Sequence, residues 1–234
     1  MKMDSKLVTK EINSCIKPLL KKNGFDKSTG RTFWRNLNDR IDIIDFQSFN
    51  AHNAEIIGCT TFSLTINLSC FLKYIPSETE IKYKDNEPRP REEQGHFRGT
   101  LNKGVVQNEL TRQDIWFIDS NGENLIDVII DCGRQIERIG FAWFNQFDTK
   151  QKVFDLLIEK SENMNDIFGF GNIDSPIRNE YTAYAAIELG KNDIAIDKLE
   201  KLSKYYLEQY EKQKYPYYLN RKKIIDNEIE RIKN

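Results

Sequence analysis

The chain has 234 residues, enough for one large domain or two small ones with a well-buried core. Its 35 basic and 36 acidic side chains leave a formal net charge of −1, so no overall field attracts nucleic acid or anionic lipid. Hydrophobic residues make up 39% and aromatic residues 12%, a composition that favours a folded protein over a disordered one.

The cysteines lie far from one another in the sequence, at Cys15, Cys59, Cys70 and Cys132. A structural zinc site needs closely spaced pairs of ligands, so this spacing predicts free thiols and no metal. The first residues lack the apolar core of a signal peptide, and no stretch approaches the ~20 apolar residues of a membrane span. We therefore expect a cytoplasmic protein that binds no membrane and carries no cofactor.

The first part of the chain has the pattern of a helix followed by strands. Residues 5–22 carry apolar side chains at helical spacing, and Pro18 predicts a kink in that helix. Strand-like runs at 31–36 and 41–49 are separated by a turn signal. The apolar positions of the second run change phase at Ile43–Ile44, which predicts either a bulge or a strand covered on both faces.

Residues 62–74 show a strong period of two. The even positions are apolar or aromatic: Phe62, Leu64, Ile66, Leu68, Cys70, Leu72 and Tyr74. This alternation predicts a half-buried β-strand with a bend or break near Phe71. The small polar side chains of the opposite face are Ser63, Thr65, Asn67 and Ser69. They meet water, a helix or a ligand, and we expect water.

The remainder of the chain is predicted to begin with a long loop and to end in helices. The loop, residues 76–104, is polar and contains prolines, and it returns to the sheet through His96-Phe97-Arg98. An apolar run at 115–118 is a candidate last strand. Helices are predicted at 125–139 and 148–160, and then from Asp174, from Asn192 and after Pro216.

These elements predict an α+β fold. It comprises an antiparallel sheet of four to five strands with helices on one face, followed by a C-terminal helical hairpin region. The composition shifts to helical after the glycine-rich segment at 168–171, so we expect an α+β domain over residues 1–165. The expected helical region, residues 166–234, packs on or beside it.

Several short motifs occur in a particular order. They are Leu19-Leu20-x-x-x-Gly24-Phe25, Arg31-Thr32-Phe33-Trp34-Arg35, Ile43-Ile44-Asp45-Phe46-Gln47 and the aromatic run Gly140-Phe141-Ala142-Trp143-Phe144. Over roughly residues 5–160 the chain resembles an uncharacterised bacterial family, domain of unknown function 4304. The resemblance implies an α+β fold and no established activity.

The sequence offers no recognisable catalytic constellation. Histidine occurs only at His52 and His96, and no G-x-S-x-G nucleophile elbow is present. We predict no catalytic residue and no metal ligand.

A set of polar side chains is a candidate ligand-binding site. If the strands at 31–36 and 41–49 pair, this set can gather on one face of the sheet, where the planar guanidinium group of arginine suits the binding of carboxylate or phosphate. The candidate ligand-binding residues are Arg31, Arg35, Asp45, Gln47, His96 and Arg98. The interpretation that we favour for the charged members of this set is cross-strand ion pairs on a solvated sheet.

The function predicted from the sequence is binding rather than catalysis. We expect a non-enzymatic bacterial protein-binding domain, on loose analogy an immunity-like one, whose partner is another protein and not nucleic acid. The alternative is an enzyme or small-ligand-binding protein with its site on the polar face of the sheet. If the polar face of residues 62–74 lines a closed concave pocket with converging arginine and aspartate side chains, the alternative is favoured, whereas a flat, solvated face counts against an enzyme.

Overall fold

The computed structural model describes residues 3–161 and 164–234. The chain divides into two compact units, one comprising Met1–Lys73 with Ser77–Asn145 and the other Tyr74–Pro76 with Gln146–Asn234. That residues 1–165 and 166–234 form separate domains stays a prediction. Within the described ranges, no helix has the length and apolar character needed to cross a membrane.

The fold is α+β, as predicted. The strands are β1 (Lys27–Thr29), β2 (Thr32–Asn36), β3 (Arg40–Ser48), β4 (Leu64–Leu72), β5 (Lys82–Lys84), β6 (Glu87–Arg89) and β7 (Phe97–Thr100). The helices of the first unit are α1 (Ser5–Glu11), α2 (Lys17–Lys22), α3 (Ala51–Ile57), α4 (Leu125–Gln135) and α5 (Phe141–Phe144). Those of the second are α6 (Lys150–Ile158), α7 (Met164–Phe168), α8 (Pro176–Glu188), α9 (Asn192–Gln213) and α10 (Pro216–Lys233).

The first helical segment accommodates Pro18 by a local change of winding. Between α1 and α2 the residues Ile12–Ile16 form a π-helical turn. Proline has no N–H to donate to the preceding turn, and an inserted π-turn widens the helix at that point. The helix ends at Asn23, and Gly24 follows with a φ of +85°, a conformation that favours glycine.

The main sheet is antiparallel and has the order β1-β2-β3-β4-β7. Its inner face packs on the helices of the first unit in one apolar core. This core includes Val8, Ile12, Leu20, Phe33, Ile44, Phe46, Leu64, Ile66, Leu68, Val128 and Ile129. Strand β3 runs without a bulge along β4, and its outward Ile43 is also buried. The change of phase at Ile43–Ile44 therefore reflects a strand covered on both faces, which was one of the two predicted alternatives.

The polar face of β4 does not meet water, so that expectation was wrong. Ser63, Thr65, Asn67 and Ser69 are 0, 8, 9 and 0% exposed, respectively. Part of this outer face lies beneath residues 77–96, which we call the covering segment: Ser69 Oγ donates to the carbonyl of Glu92 at 2.8 Å. Gly95 approaches so closely that a Cβ there would lie 1.7 Å from Ser69 Oγ. The covering segment contacts β4 from a distant part of the sequence. The alternation of apolar and polar residues along β4 is a local pattern, so it cannot predict these contacts.

Other local predictions also need correction. Strand β4 runs unbroken from Leu64 to Leu72 through Phe71, which packs with the outward-facing Trp34 and Ile43 instead of bending the strand. The run at 115–118 forms a single bridge, between Trp116 and Leu64, and no strand. Trp116 is nevertheless fully buried, and its indole donates to the buried Asp131 at 2.8 Å. The predicted loop 76–104 also forms the β5-β6 hairpin, whereas its return to the main sheet as β7 was predicted.

The second unit is helical, as predicted for the C-terminal region. Helix α8 begins where the Asp174-Ser175-Pro176 signal predicted, with Ser175 Oγ accepting a hydrogen bond from the Arg178 N–H. The helices α8, α9 and α10 share an apolar core. Its buried members are Ala183, Leu199, Leu202, Tyr206, Ile225 and Ile229.

Candidate functional site

A row of polar side chains crosses the outer face of the sheet. The register pairs Thr29 with Thr32, Thr32 with Asp45, Asp45 with Asn67, and Asn67 with Thr100. Residues that are directly opposite one another in a sheet have their side chains on the same face. These five positions, contributed by five strands, therefore form one continuous polar row.

Hydrogen bonds join neighbours within the row. Thr32 Oγ1 donates to Asp45 Oδ1 at 2.6 Å, and Thr100 Oγ1 donates to Asn67 Oδ1 at 3.2 Å. Asn67 in turn donates through Nδ2 to Gln47 Oε1 at 2.9 Å. The buried end of the row is thus supplied with partners from the sheet itself, as buried polar groups require.

The covering segment is attached to the sheet beside this row. The indole N–H of Trp34 donates to the carbonyl of Pro90 at 2.8 Å, and Arg89 lies over the Trp34 ring at 5.7 Å. Arg98 on β7 holds the carboxylate of Glu92 through two hydrogen bonds of 2.9 and 3.2 Å. A paired arginine fork of this kind fixes direction as well as distance.

Between the covering segment and the first strands lies a cavity of about 510 Å³, which we call the outer-face pocket. Its size falls within the usual range for small-molecule sites. The sheet contributes Thr29, Thr32, Trp34 and Asp45. The covering segment contributes Lys82, Tyr83, Lys84, Arg89, Arg91, Glu92 and Glu93.

Asp45 is the carboxylate that the sheet presents to this pocket. Its Oδ1 accepts from Thr32, whereas its Oδ2 accepts no hydrogen bond within the described part of the chain. Burial raises the pKa of Asp45, and the charge of Glu93 adds to this rise, whereas the hydrogen bond from Thr32 and the charge of Arg31 oppose it. The folded protein therefore holds a partly desolvated carboxylate with one oxygen left for another partner.

Most other charges around the outer-face pocket are already paired. Arg91 lies 3.1 Å from Glu93, Arg89 lies 3.0 Å from Glu87, and Glu92 is held by Arg98. The exposed lysines Lys82 and Lys84 of β5 make no ion pair with any described residue. The pocket thus combines one available carboxylate with two available ammonium groups.

The inner face carries a second cluster of charges, centred on the fully buried Asp42. Arg35 donates to Asp42 Oδ2 at 2.9 and 2.7 Å, and Arg40 donates to Oδ1 at 2.9 Å. Burial raises the pKa of Asp42, and the two guanidinium groups oppose that rise. Arg35 and Asp42 are direct cross-strand partners, as the ion-pair interpretation predicted, but the cluster is buried and does not lie on a solvated face.

The remaining predicted residues have structural partners. Arg31 binds helix α1 through Thr9 Oγ1 at 2.9 Å and the Ser5 carbonyl at 2.7 Å, and it also donates to Ser48. His96 is buried, and its Nδ1 accepts from the Leu72 N–H at 2.9 Å. Burial lowers the pKa of His96 to about 3, so the imidazole is neutral at physiological pH.

The structure thus divides the candidate residues between the two faces of the sheet. Arg31 and Arg35 lie on the inner face, whereas Asp45, Gln47 and Arg98 lie on the outer face, and only Asp45 of the predicted set lines the pocket. The other lining residues were not predicted as ligand contacts. A usable signal was the charge run Arg89–Glu93, but its position over Asp45 depends on the fold of the covering segment. Among the described residues, no three potential metal ligands lie together.

Comparison with known proteins agrees with the motif order. No curated protein and no solved structure matches the chain. A family model described as "Domain of unknown function (DUF4304)" matches residues 16–146, which is more than half of the chain and includes the whole main sheet. The chain belongs to this family of unknown function.

Proposed function

We propose that this protein is a non-enzymatic, cytoplasmic binding domain and that a small polar molecule occupies the outer-face pocket. The observation that carries the proposal is Asp45: a partly desolvated carboxylate with an available oxygen lines a cavity of about 510 Å³. Partial desolvation of this carboxylate lowers stability, and the hydrogen bond from Thr32 and the charge of Arg31 offset it only in part, because the pKa remains raised; a ligand that donates to Oδ2 would offset the rest.

The lining favours binding over catalysis. The described residues around the pocket include no histidine, cysteine or serine, and of the carboxylates that could act as a nucleophile or base, Glu92 and Glu93 are held in ion pairs. His96 lies outside the lining and is neutral. The pocket is concave and has Arg89, Arg91 and Asp45 in its lining, but it lies over β1–β3 and includes no residue of β4, so the predicted criterion for a small ligand is met only in part. The protein partner expected from the sequence stays a prediction.

Filling the pocket tests the proposal. We expect amino acids, hydroxy acids and phosphomonoesters at millimolar concentration to include binders that raise the melting temperature of the wild-type protein, because a ligand stabilises the state it binds. The variant Thr29→Trp places an indole in the pocket from the exposed edge strand and should bind none of them. Ligand-observed NMR measures both. Absence of any binder, or equal binding by Thr29→Trp, would refute the proposal.

Asp45 should also lower stability in the empty protein. Its folded pKa lies above the ordinary value of 3.8, so the folded state binds protons more readily and loses relative stability as pH rises through this range. The variant Asp45→Asn keeps the acceptor for Thr32 and should melt at a higher temperature than wild type at pH 7. Below about pH 3 the advantage should vanish, because both forms are then neutral.

The matched control for this stability measurement is Asp114→Asn. Its partner Arg112 lowers the pKa of Asp114 through a hydrogen bond, so removing the charge should lower the melting temperature at pH 7 or leave it unchanged. Thermal melts over pH 3–8 give the comparison. A lower melting temperature for Asp45→Asn at pH 7 would show that the carboxylate serves the fold and not a ligand.

A further inference from the structure

The ligand class follows from which charges of the outer-face pocket are still available. Three nearby ion pairs, Arg91–Glu93, Arg89–Glu87 and Arg98–Glu92, neutralise most of its wall. Asp45 on one side and Lys82 and Lys84 on the other form no ion pair within 4 Å among the described residues, although the more distant charge of Arg31 acts on Asp45. A complementary molecule therefore needs a positive group and a negative group.

Resting on the proposed function, we propose that the pocket binds a small zwitterion, with its ammonium or guanidinium group on Asp45 and its carboxylate or phosphate on Lys82 and Lys84. The hydroxyl of Thr32 already supplies a neutral donor to Oδ1, and a cationic donor at Oδ2 relieves desolvation more strongly than a second neutral one. Glu93, which also lines the pocket, is paired with Arg91, so Asp45 is the carboxylate available to the cationic group.

The two lysines supply the anion-binding side. Both lie on β5, where they flank the exposed Tyr83 and are on the same face of a two-stranded hairpin. Two flexible ammonium groups can reach one carboxylate or phosphate without a preformed fork. The bound ligand would then bridge the main sheet and the hairpin, with its uncharged part beside Trp34.

A series of small molecules tests separately the contributions of the ligand's positive and negative groups. Glycine, 4-aminobutyrate and 6-aminohexanoate carry both charges at increasing spacing; phosphoethanolamine carries a phosphate instead of the carboxylate. Acetate, butyrate, hexanoate and inorganic phosphate supply the anion alone, and alkylamines supply the cation alone. We expect at least one zwitterion to bind about 10- to 100-fold more tightly than either matched half, as one additional charged hydrogen bond predicts. Isothermal titration calorimetry measures each affinity.

A variant that removes one charged side of the pocket should bind a zwitterion no more tightly than the matching ligand with a single charged group. Asp45→Asn, which keeps its bond to Thr32, should reduce zwitterion affinity to that of the anion alone. The double variant Lys82→Ala/Lys84→Ala should reduce it to that of the cation alone. Lys22→Ala, an exposed lysine on α2 outside the pocket lining, is the matched control and should change nothing.

The outcomes distinguish this inference from the proposed function. If an anion without a positive group binds as tightly as every zwitterion, the proposal of a zwitterionic ligand is refuted, whereas the proposed small-molecule-binding function is retained. The proposal of a zwitterionic ligand is also refuted if no probe of this series binds, while the hydroxy acids tested for the proposed function bind the wild-type protein and do not bind Thr29→Trp. If nothing binds in either experiment, both proposals fall.

Discussion

Replacing Asp42 with asparagine is expected to lower the free energy of unfolding of the first unit by about 3–5 kcal/mol. Asp42 has no exposed side-chain surface and neutralises Arg35 and Arg40, which are 16 and 8% exposed. An asparagine can still accept from one guanidinium, but its amide N–H₂ faces the other, so two confined cations lose their counter-ion. Urea denaturation monitored by circular dichroism measures the loss.

The control is Asp26→Asn. Asp26 lies 3.9 Å from Lys27, and both side chains are substantially exposed, 55 and 36%, so water screens the pair. Removing that charge should change the free energy of unfolding by less than about 1 kcal/mol. Equal effects of Asp42→Asn and Asp26→Asn would contradict the assignment of Asp42 as the centre of a buried cluster.

The same cluster bears on the outer-face pocket. Arg35 and Asp42 are opposite one another on β2 and β3, and Arg40 reaches beyond the sheet to the carbonyl of Phe144 at 3.3 Å. A shift of pairing by one residue moves every side chain of a strand to the other face. By favouring one register, the inner cluster keeps Asp45, three residues further along β3, on the face with the pocket.

The main sheet could be predicted because its signals are local. The alternation along β4 and the turn between β2 and β3 depend on residues that are close together in sequence, and they locate the central strands correctly. The sequence pattern does not predict strand β1, because Lys27–Thr29 is polar and only three residues long. It is a strand because it pairs with β2, not because of its own side chains.

The site could not be predicted to the same extent, because it depends on long-range packing. Asp45 is a candidate from the sequence, but its surroundings come from residues 82–93, whose composition predicts a polar loop. Proline and charge in that segment are typical of a loop, yet the segment forms a hairpin and covers the outer face. The separation of Arg31 and Arg35 from Asp45 follows from the β-pleat, since odd positions of β2 face the helices and Thr32 faces the pocket.

His96 should make stability depend steeply on pH. Unfolded, it takes up a proton at about pH 6.5, whereas burial lowers its pKa to about 3 in the folded state. Between these values the unfolded state binds more protons, so the stabilisation is complete above pH 6.5 and is lost as the pH falls. The loss should reach roughly 5 kcal/mol by pH 3, and thermal or urea denaturation at each pH measures it.

The variant His96→Asn isolates this effect from the titration of the carboxylates. Its amide oxygen can accept from the Leu72 N–H as Nδ1 does, but it takes up no proton, so the difference between the two stability curves is the contribution of His96. At neutral pH the variant should be the less stable, because it loses the ring packing on Phe71, whose centroid lies 5.0 Å away. Below pH 6.5 that difference should shrink and then reverse.

The exposed His52 provides the control His52→Asn, which should leave the shape of the curve unchanged. Parallel curves for wild type and His96→Asn would mean that the imidazole is accessible to protons, and His96 would then be available for chemistry on the outer face.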